Sequence, residues 1–165
     1  MTSRLLPQME RLLLGFALAG MAVLSVAIAA VLADIVLRGT MGMAVLGTVD
    51  ITQLCVMACA FWAIPFAFIR GGHVRVEVGG DSMPNRVRHT LDALAAVLGA
   101  VFVGLIGLYG WDGAQLALRY GDMSQTIGIP MIWYWATLLS GCALSVLATL
   151  TVAAHHAVLA AQGAE

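Results

Sequence analysis

The chain has 165 residues, of which 61% are hydrophobic and only 10% are charged, and its formal net charge is −1. A soluble domain carries about 25% charged residues, so this composition favours an integral membrane protein. All eight basic residues are arginines, and there is no basic patch that would indicate a nucleic-acid partner.

Four long apolar segments account for most of the chain: 12–37, 51–69, 91–109 and 131–154. Each is close to the roughly 20 residues that a helix needs to cross a bilayer core of about 30 Å. Backbone polar groups cannot stay unpaired in hydrocarbon, so all four segments are expected to be helices. We therefore predict an all-α integral membrane protein with four transmembrane helices, forming a single membrane domain over residues 1–165 and packed as a four-helix bundle.

The first apolar segment is predicted to be an uncleaved span. Its uncharged core, 12–33, is longer than the roughly 7–15 residues of a signal-peptide core. Asp34 lies near the outer end, and Arg38 follows four residues later on the same helix face, so we expect the two to form an ion pair. Gly39 and Gly42 are expected to end this helix.

Asp50 directly precedes the second segment and is expected to cap the N-terminus of that helix. Cys55 and Cys59 lie one turn apart within the same segment, where we interpret them as small packing residues. In all four segments small residues recur at every fourth position, a pattern that allows close helix packing, and in the fourth segment their hydroxyls could bond across an interface. The stripes in the first and fourth segments are Ser25, Ala29, Ala33 and Thr137, Gly141, Ser145, Thr149, Ala153.

The arginines predict the topology. Two lie in the N-terminal segment and four in the second loop, whereas the first and third loops hold one each. By the positive-inside rule, both termini and the second loop face the cytoplasm. The stretch 84–89 of the second loop is a candidate interfacial helix.

The middle of each apolar segment holds no ionisable residue, although a self-sufficient carrier usually has one there. No histidine is placed to bind a buried haem, and no zinc motif or nucleophilic triad is evident. We therefore predict no catalytic, metal-binding or cofactor-binding residues. The pattern is typical of a structural or partner-binding membrane subunit and not of an enzyme.

Two loop motifs resemble those of a known family. One is Arg70-Gly71-Gly72-His73-Val74-Arg75-Val76-Glu77, after the second segment and followed by Met83-Pro84, and the other runs from Ser124 through Thr126 and Pro130 to Tyr134, at the start of the fourth. Together with Arg38 and an acid at the start of the second segment, they resemble the small membrane subunit of tripartite ATP-independent periplasmic (TRAP) transporters. The family commonly has Trp and paired Glu residues in that corner, whereas this chain has one acid, Asp50, and no Trp.

The resemblance implies a scaffold subunit, in the bacterial inner membrane, of a secondary transporter that an ion gradient drives. Its implied partners are a large membrane subunit that carries substrate and ion, and a periplasmic binding protein that delivers an organic acid, commonly a carboxylate. Residues Arg70, Gly72, His73 and Arg75 would form the cytoplasmic loop motif. The candidate contacts with partners are Asp34, Arg38, Asp50, Arg119 and Asp122.

Two other functions stay open at this stage. One is an autonomous small carrier or exporter that acts as a homodimer, which would need a buried acid in a span. The other is a quinone-linked membrane thiol redox protein, which would need reactive cysteines in a loop.

Overall fold

A computed structural model of the chain describes residues 2–70 and 85–162, with side chains described for 8–70 and 90–154. Within these ranges it contains four helices: α1 (Thr2–Met41), α2 (Thr48–Ile69), α3 (Asn85–Tyr120) and α4 (Ile132–Gln162). Each includes a stretch long and apolar enough to cross a membrane. The predicted all-α membrane fold with four spanning helices is confirmed.

The helices extend beyond the apolar segments. Helix α1 continues to Met41, so Gly39 lies inside it, and Gly42 follows with a φ of 67°. That left-handed conformation is the usual way in which a glycine ends a helix. Helix α3 includes the residues 85–89 of the candidate interfacial stretch and runs past Tyr109 to Tyr120. Residue 84 lies outside the described residues, and the placement of the stretch at the interface stays a prediction.

The helices pack as an open series of neighbours instead of a closed ring. Helix α1 packs against α2, α2 against α4, and α4 against α3, whereas α1 and α4 touch only slightly. Only 11–33% of the residues in each apolar window are buried inside the chain. Most of the apolar surface is therefore left for lipid or for another protein.

Helices α2 and α4 approach most closely at Gly141. A Cβ atom at that position would lie 2.6 Å from the Cβ of Phe61, a distance that real side chains do not adopt. Pro65 lies in α2 one turn after Phe61, and because proline has no N–H, the Phe61 carbonyl lacks its usual helical donor. Gly141 thus brings the backbone of α4 against the carbonyl that Pro65 leaves without a donor.

The predicted packing stripes have different outcomes. In α4 the central residues of the stripe, Gly141, Ser145 and Thr149, are buried as expected. In α1 the stripe of Ser25, Ala29 and Ala33 is exposed, so the expectation is wrong for that helix. The buried face of α1 instead carries residues spaced by three, four or seven, namely Leu13, Ala17, Gly20, Ala27 and Asp34.

The hydroxyls of α4 also differ from expectation. Thr149 donates to the carbonyl of Ser145 at 2.8 Å, within its own helix. One bond that does cross between helices joins the indole N–H of Trp62 in α2 to the hydroxyl of Ser140, at 3.1 Å. Ser140 lies one residue from the Gly141 contact, so this bond reinforces the close approach of the two helices.

Candidate functional site

The polar residues identified from the sequence gather mainly at one end of the molecule, where α1 and α3 end and α2 and α4 begin. We call this the outer end. Two carboxylates are buried there: Asp34 retains 8% of its accessible surface and Asp50 only 2%. Both are bonded to groups of the chain itself.

Asp34 joins the last turns of α1 to the loop that follows them. One of its oxygens accepts a 2.8 Å bond from the guanidinium of Arg38, so the predicted ion pair is confirmed. The other oxygen accepts a 2.6 Å bond from the backbone N–H of Val45. The loop between α1 and α2 is thereby folded back along α1, while the Arg38 side chain stays 64% exposed.

Asp50 holds the loop between α3 and α4 against the start of α2. Its Oδ2 accepts bonds from the hydroxyl of Ser124 at 2.6 Å and from the backbone N–H groups of Thr126 and Ile127 at 3.0 and 2.9 Å. The predicted role of Asp50 as a helix cap is wrong, because Gly47 occupies the N-cap position and no side chain caps this helix. The carboxylate bonds to a distant loop and not to its own helix.

The loop that Asp50 holds is itself a compact turn. The backbone N–H of Ser124 donates to the carbonyl of Ile129, and the Ile129 N–H donates back to the Ser124 hydroxyl, both at 2.8 Å. Gly121 and Gly128 adopt positive φ values of 66° and 70°, which lets the chain reverse. Pro130 lies opposite Met123 in an isolated β-bridge. Ser124, Thr126 and Pro130 of the outer loop motif thus form one structural unit.

Two residues to which the sequence analysis assigned no role complete this junction. Gly47 has a φ of 85°, and the side chain of Ile127 lies where a Cβ of residue 47 would be, 2.5 Å from its Cγ2. The hydroxyl of Tyr134 donates to the backbone carbonyl of Asp50 at 2.8 Å. A glycine just before a predicted helix was the available signal for Gly47, but nothing local indicated the role of Tyr134.

The remaining outer-end candidates lie on the surface. Arg119 and Asp122 are both exposed at the C-terminal end of α3. The backbone of Asp122 helps to shape the loop, since its N–H donates to Ala117 and its carbonyl accepts from Met131. Their side chains face outwards, as contacts for another protein require.

At the opposite end, Arg70 joins α2 to α1. Its Nε lies 2.8 Å from the carboxylate of Glu10, and its guanidinium lies 5.2 Å from the centre of the Phe66 ring. The other residues of the cytoplasmic loop motif, Gly72, His73 and Arg75, lie outside the described residues.

No metal cluster is found in the described part of the chain. No group of three or more His, Cys, Asp or Glu residues is arranged to hold a metal ion there. A groove of about 460 Å³ lies between α3 and α4. Its lining is almost wholly apolar and is formed by Phe102, Leu105, Ile106, Tyr109, Gly110, Trp135 and Leu138.

Comparison with known proteins identifies a family. Residues 27–159 match the model of a family described as "Tripartite ATP-independent periplasmic transporters, DctQ component". The matched residues include all of α2 and α3. They also include Asp50 and the loop 121–131 to which its carboxylate bonds. Neither a curated protein nor a solved structure matches the chain.

Proposed function

The chain belongs to the DctQ component family of the tripartite ATP-independent periplasmic transporters, and from this we propose that it is a membrane scaffold that pairs with a large transport subunit. In this proposal the large subunit binds the substrate and the coupling ion. A soluble periplasmic binding protein delivers the substrate, an organic acid with a carboxylate group, and an ion gradient drives uptake.

The observation that carries the scaffold role is the use of the buried carboxylates. Asp34 and Asp50 accept bonds from a guanidinium, a hydroxyl and three backbone N–H groups of the same chain. Their acceptor oxygens hold the two outer loops against the helix ends. This arrangement stabilises a fixed outer surface, which is what a scaffold must present to a moving partner.

The residues proposed to contact partners are those with exposed side chains at the outer end: Arg38, Arg119 and Asp122. Asp34 and Asp50 act on that surface indirectly, by fixing Arg38 and the loop 121–131. Substitution of either carboxylate is therefore expected to change the shape of the contact surface without removing a contact of its own.

The proposed setting is the bacterial inner membrane, with both termini and the second loop in the cytoplasm. The excess of arginine in the N-terminal segment and second loop supports this orientation. The outer end then faces the periplasm, where the binding protein is found. The proposed role is one of assembly and docking, without an enzymatic step.

Co-purification from native membranes tests the pairing. An affinity tag on this chain should recover a larger multi-span membrane protein in a fixed ratio. Proteoliposomes should take up a carboxylate only when this chain, its large partner and the binding protein are all present together with an ion gradient. Ion-coupled uptake by this chain alone would refute the proposal and favour the autonomous carrier.

A further inference from the structure

Three close contacts, one for each pair of packed neighbours, fix how far each helix is shifted along its axis relative to the next. Each involves a glycine, and at Gly20 and Gly141 the missing side chain is what lets the partner approach. The pairs are Gly20 with Cys59, Gly141 with Phe61, and Gly107 with Cys142.

Counting residues outwards along each helix from these contacts shows which residues of different helices lie at the same position along the helix axes, here called the same height. Val26 of α1 lies level with Trp133 of α4, and Trp133 lies level with Leu116 of α3. If the helices stood upright in a bilayer, Val26 and Leu116 would lie at the same depth.

The charges of the outermost helices contradict an upright arrangement. In α1 the segment without charge runs from Arg11 to Asp34 and includes Val26. In α3 it runs from Asp92 to Asp112, so Leu116 lies beyond its outer end. Relative to α1, the uncharged segment of α3 is displaced by about 13–18 Å towards the inner end, at 1.5 Å per residue.

The intervening helix α2 follows the same trend. The inner charged limits of α1, α2 and α3 are Arg11, Arg70 and Asp92, and they descend in that order, which is also the order in which these three helices occur in the packing series. Three packing steps of 8–10 Å place α1 at most about 25–30 Å from α3, since α1 also touches α4 and Phe68 of α2 lies against Gly99 of α3. A displacement of this size over that distance corresponds to a tilt of at least about 25–30°, within the range of membrane helices.

We propose that the helices cross the bilayer at this tilt, so that the outer end of α3, residues 112–120, stands above the membrane as a docking surface for a soluble protein. With the proposed function as its premise, that protein is the periplasmic binding protein. Of the two helices at the edges of the series, α1 and α3, it is α3 that faces this protein.

The side of α3 that points away from α4 supports this placement. Below residue 112 it carries exposed aliphatic side chains, which suit lipid; these are Leu94, Leu98, Val101 and Leu108. Above that point it carries the exposed polar residues Asp112, Gln115 and Arg119. Charged groups are costly in hydrocarbon, so the change from apolar to polar marks where the helix leaves the bilayer.

Large apolar side chains also remain exposed on the same part of α3. Leu116, Leu118 and Tyr120 expose 53%, 63% and 75% of their surface. Outside a bilayer, exposed apolar groups beside charged ones are typical of a protein-binding surface. The polar stripe and these side chains together fit a soluble protein better than lipid.

Paired cysteine variants test the tilt. Leu116→Cys and Val26→Cys share one height and are both exposed, as are Leu118→Cys and Ile28→Cys. Each is made in the complete transporter after Cys55, Cys59 and Cys142 are replaced by alanine, and uptake must survive that replacement. A membrane-impermeant maleimide is then applied from the outer side of sealed membranes, with SDS-denatured samples as the measure of full labelling.

The tilt predicts at least about ten-fold faster labelling at both α3 positions than at their α1 counterparts, since a thiol in hydrocarbon is neither ionised nor reached by the reagent. Equal rates within each pair would show upright helices and overturn the proposal. Protection of both α3 cysteines, or their labelling from the inner side only, would overturn it as well.

The docking surface is tested with Arg119→Gln, and Arg11→Gln serves as the matched control because Arg11 is exposed at the inner end. Binding of the periplasmic protein to the transporter in nanodiscs should weaken about five- to ten-fold for Arg119→Gln and stay unchanged for Arg11→Gln. Unchanged affinity in both variants would refute docking on α3. Co-purification with the large subunit is measured on the same samples, so a failure of the scaffold role is recognised separately.

Discussion

The hydroxyl of Ser124 donates a 2.6 Å hydrogen bond to the carboxylate of Asp50, although the two residues are 74 positions apart in the sequence. The same carboxylate oxygen accepts two backbone N–H groups of the loop that contains Ser124. A single side chain therefore joins the start of α2 to the connection between α3 and α4. The two halves of the chain meet at the outer end through this residue.

Asp50→Asn should destabilise the outer end more than Asp122→Asn does. An amide carries less negative charge than a carboxylate, and its NH₂ group cannot accept the bonds that Asp50 receives. Asp122 carries the same side chain but is exposed, so its replacement changes only the surface charge. The thermal midpoint of the purified complex is measured from its loss of monodispersity on heating. Equal midpoints for the two variants would contradict the role assigned to Asp50.

Gly47→Ala should lower stability more than Gly42→Ala. Both glycines have positive φ, at 85° and 67°, so alanine costs about 1–2 kcal/mol at either site. At Gly42 the space beyond the backbone is open, whereas at Gly47 a Cβ would meet Ile127. The additional loss at Gly47 is the cost of displacing the loop.

A double variant separates these two effects. Ile127→Ala should remove the clash and recover part of the stability lost in Gly47→Ala, while the backbone strain stays. The same Ile127→Ala change combined with Gly42→Ala should give no recovery. Thermal midpoints of the four variants provide the comparison, and recovery in both backgrounds would mean that Ile127 does not act through Gly47.

Local patterns in the sequence were sufficient for the helices and for one of the two carboxylates. Long apolar segments identified the spans, and the four-residue spacing of Asp34 and Arg38 identified their ion pair, because both depend on neighbours within one helix. The partners of Asp50 lie in another part of the chain, so the sequence favoured a local capping role that the structure does not show.

The faces of the helices were harder to predict than their positions. Small residues occur all around α1, so a spacing of four selected Ser25, Ala29 and Ala33, which are exposed. In α4 the same rule selected Gly141 correctly, because the carbonyl and Cβ of Phe61 in α2 occupy the space that any larger side chain at residue 141 would need. Identifying the packed face depends on the partner helix as much as on the helix itself.

Asp34→Asn should be more damaging than Arg38→Gln. Asp34 accepts bonds from both Arg38 and the backbone N–H of Val45, whereas Arg38 is 64% exposed and its loss leaves the Val45 bond in place. Exposed ion pairs contribute little on average, so Arg38→Gln should shift the thermal midpoint only slightly. A larger shift for Arg38→Gln than for Asp34→Asn would mean that the ion pair, and not the loop, is what Asp34 stabilises.

Gly141→Ala should separate α2 from α4, whereas Gly15→Ala should be neutral or stabilising. A Cβ at residue 141 would overlap the backbone and side chain of Phe61, while the space around Gly15 is open. Overpacking of this kind costs about 1–3 kcal/mol, and alanine in an exposed helix is favoured over glycine by about 1 kcal/mol. The thermal midpoint of the complex should therefore fall for Gly141→Ala and stay equal or rise for Gly15→Ala. Quenching of Trp62, whose indole bonds to Ser140 beside Gly141, should increase in Gly141→Ala as the interface opens. Equal midpoints and unchanged quenching would show that α2 and α4 are held together elsewhere.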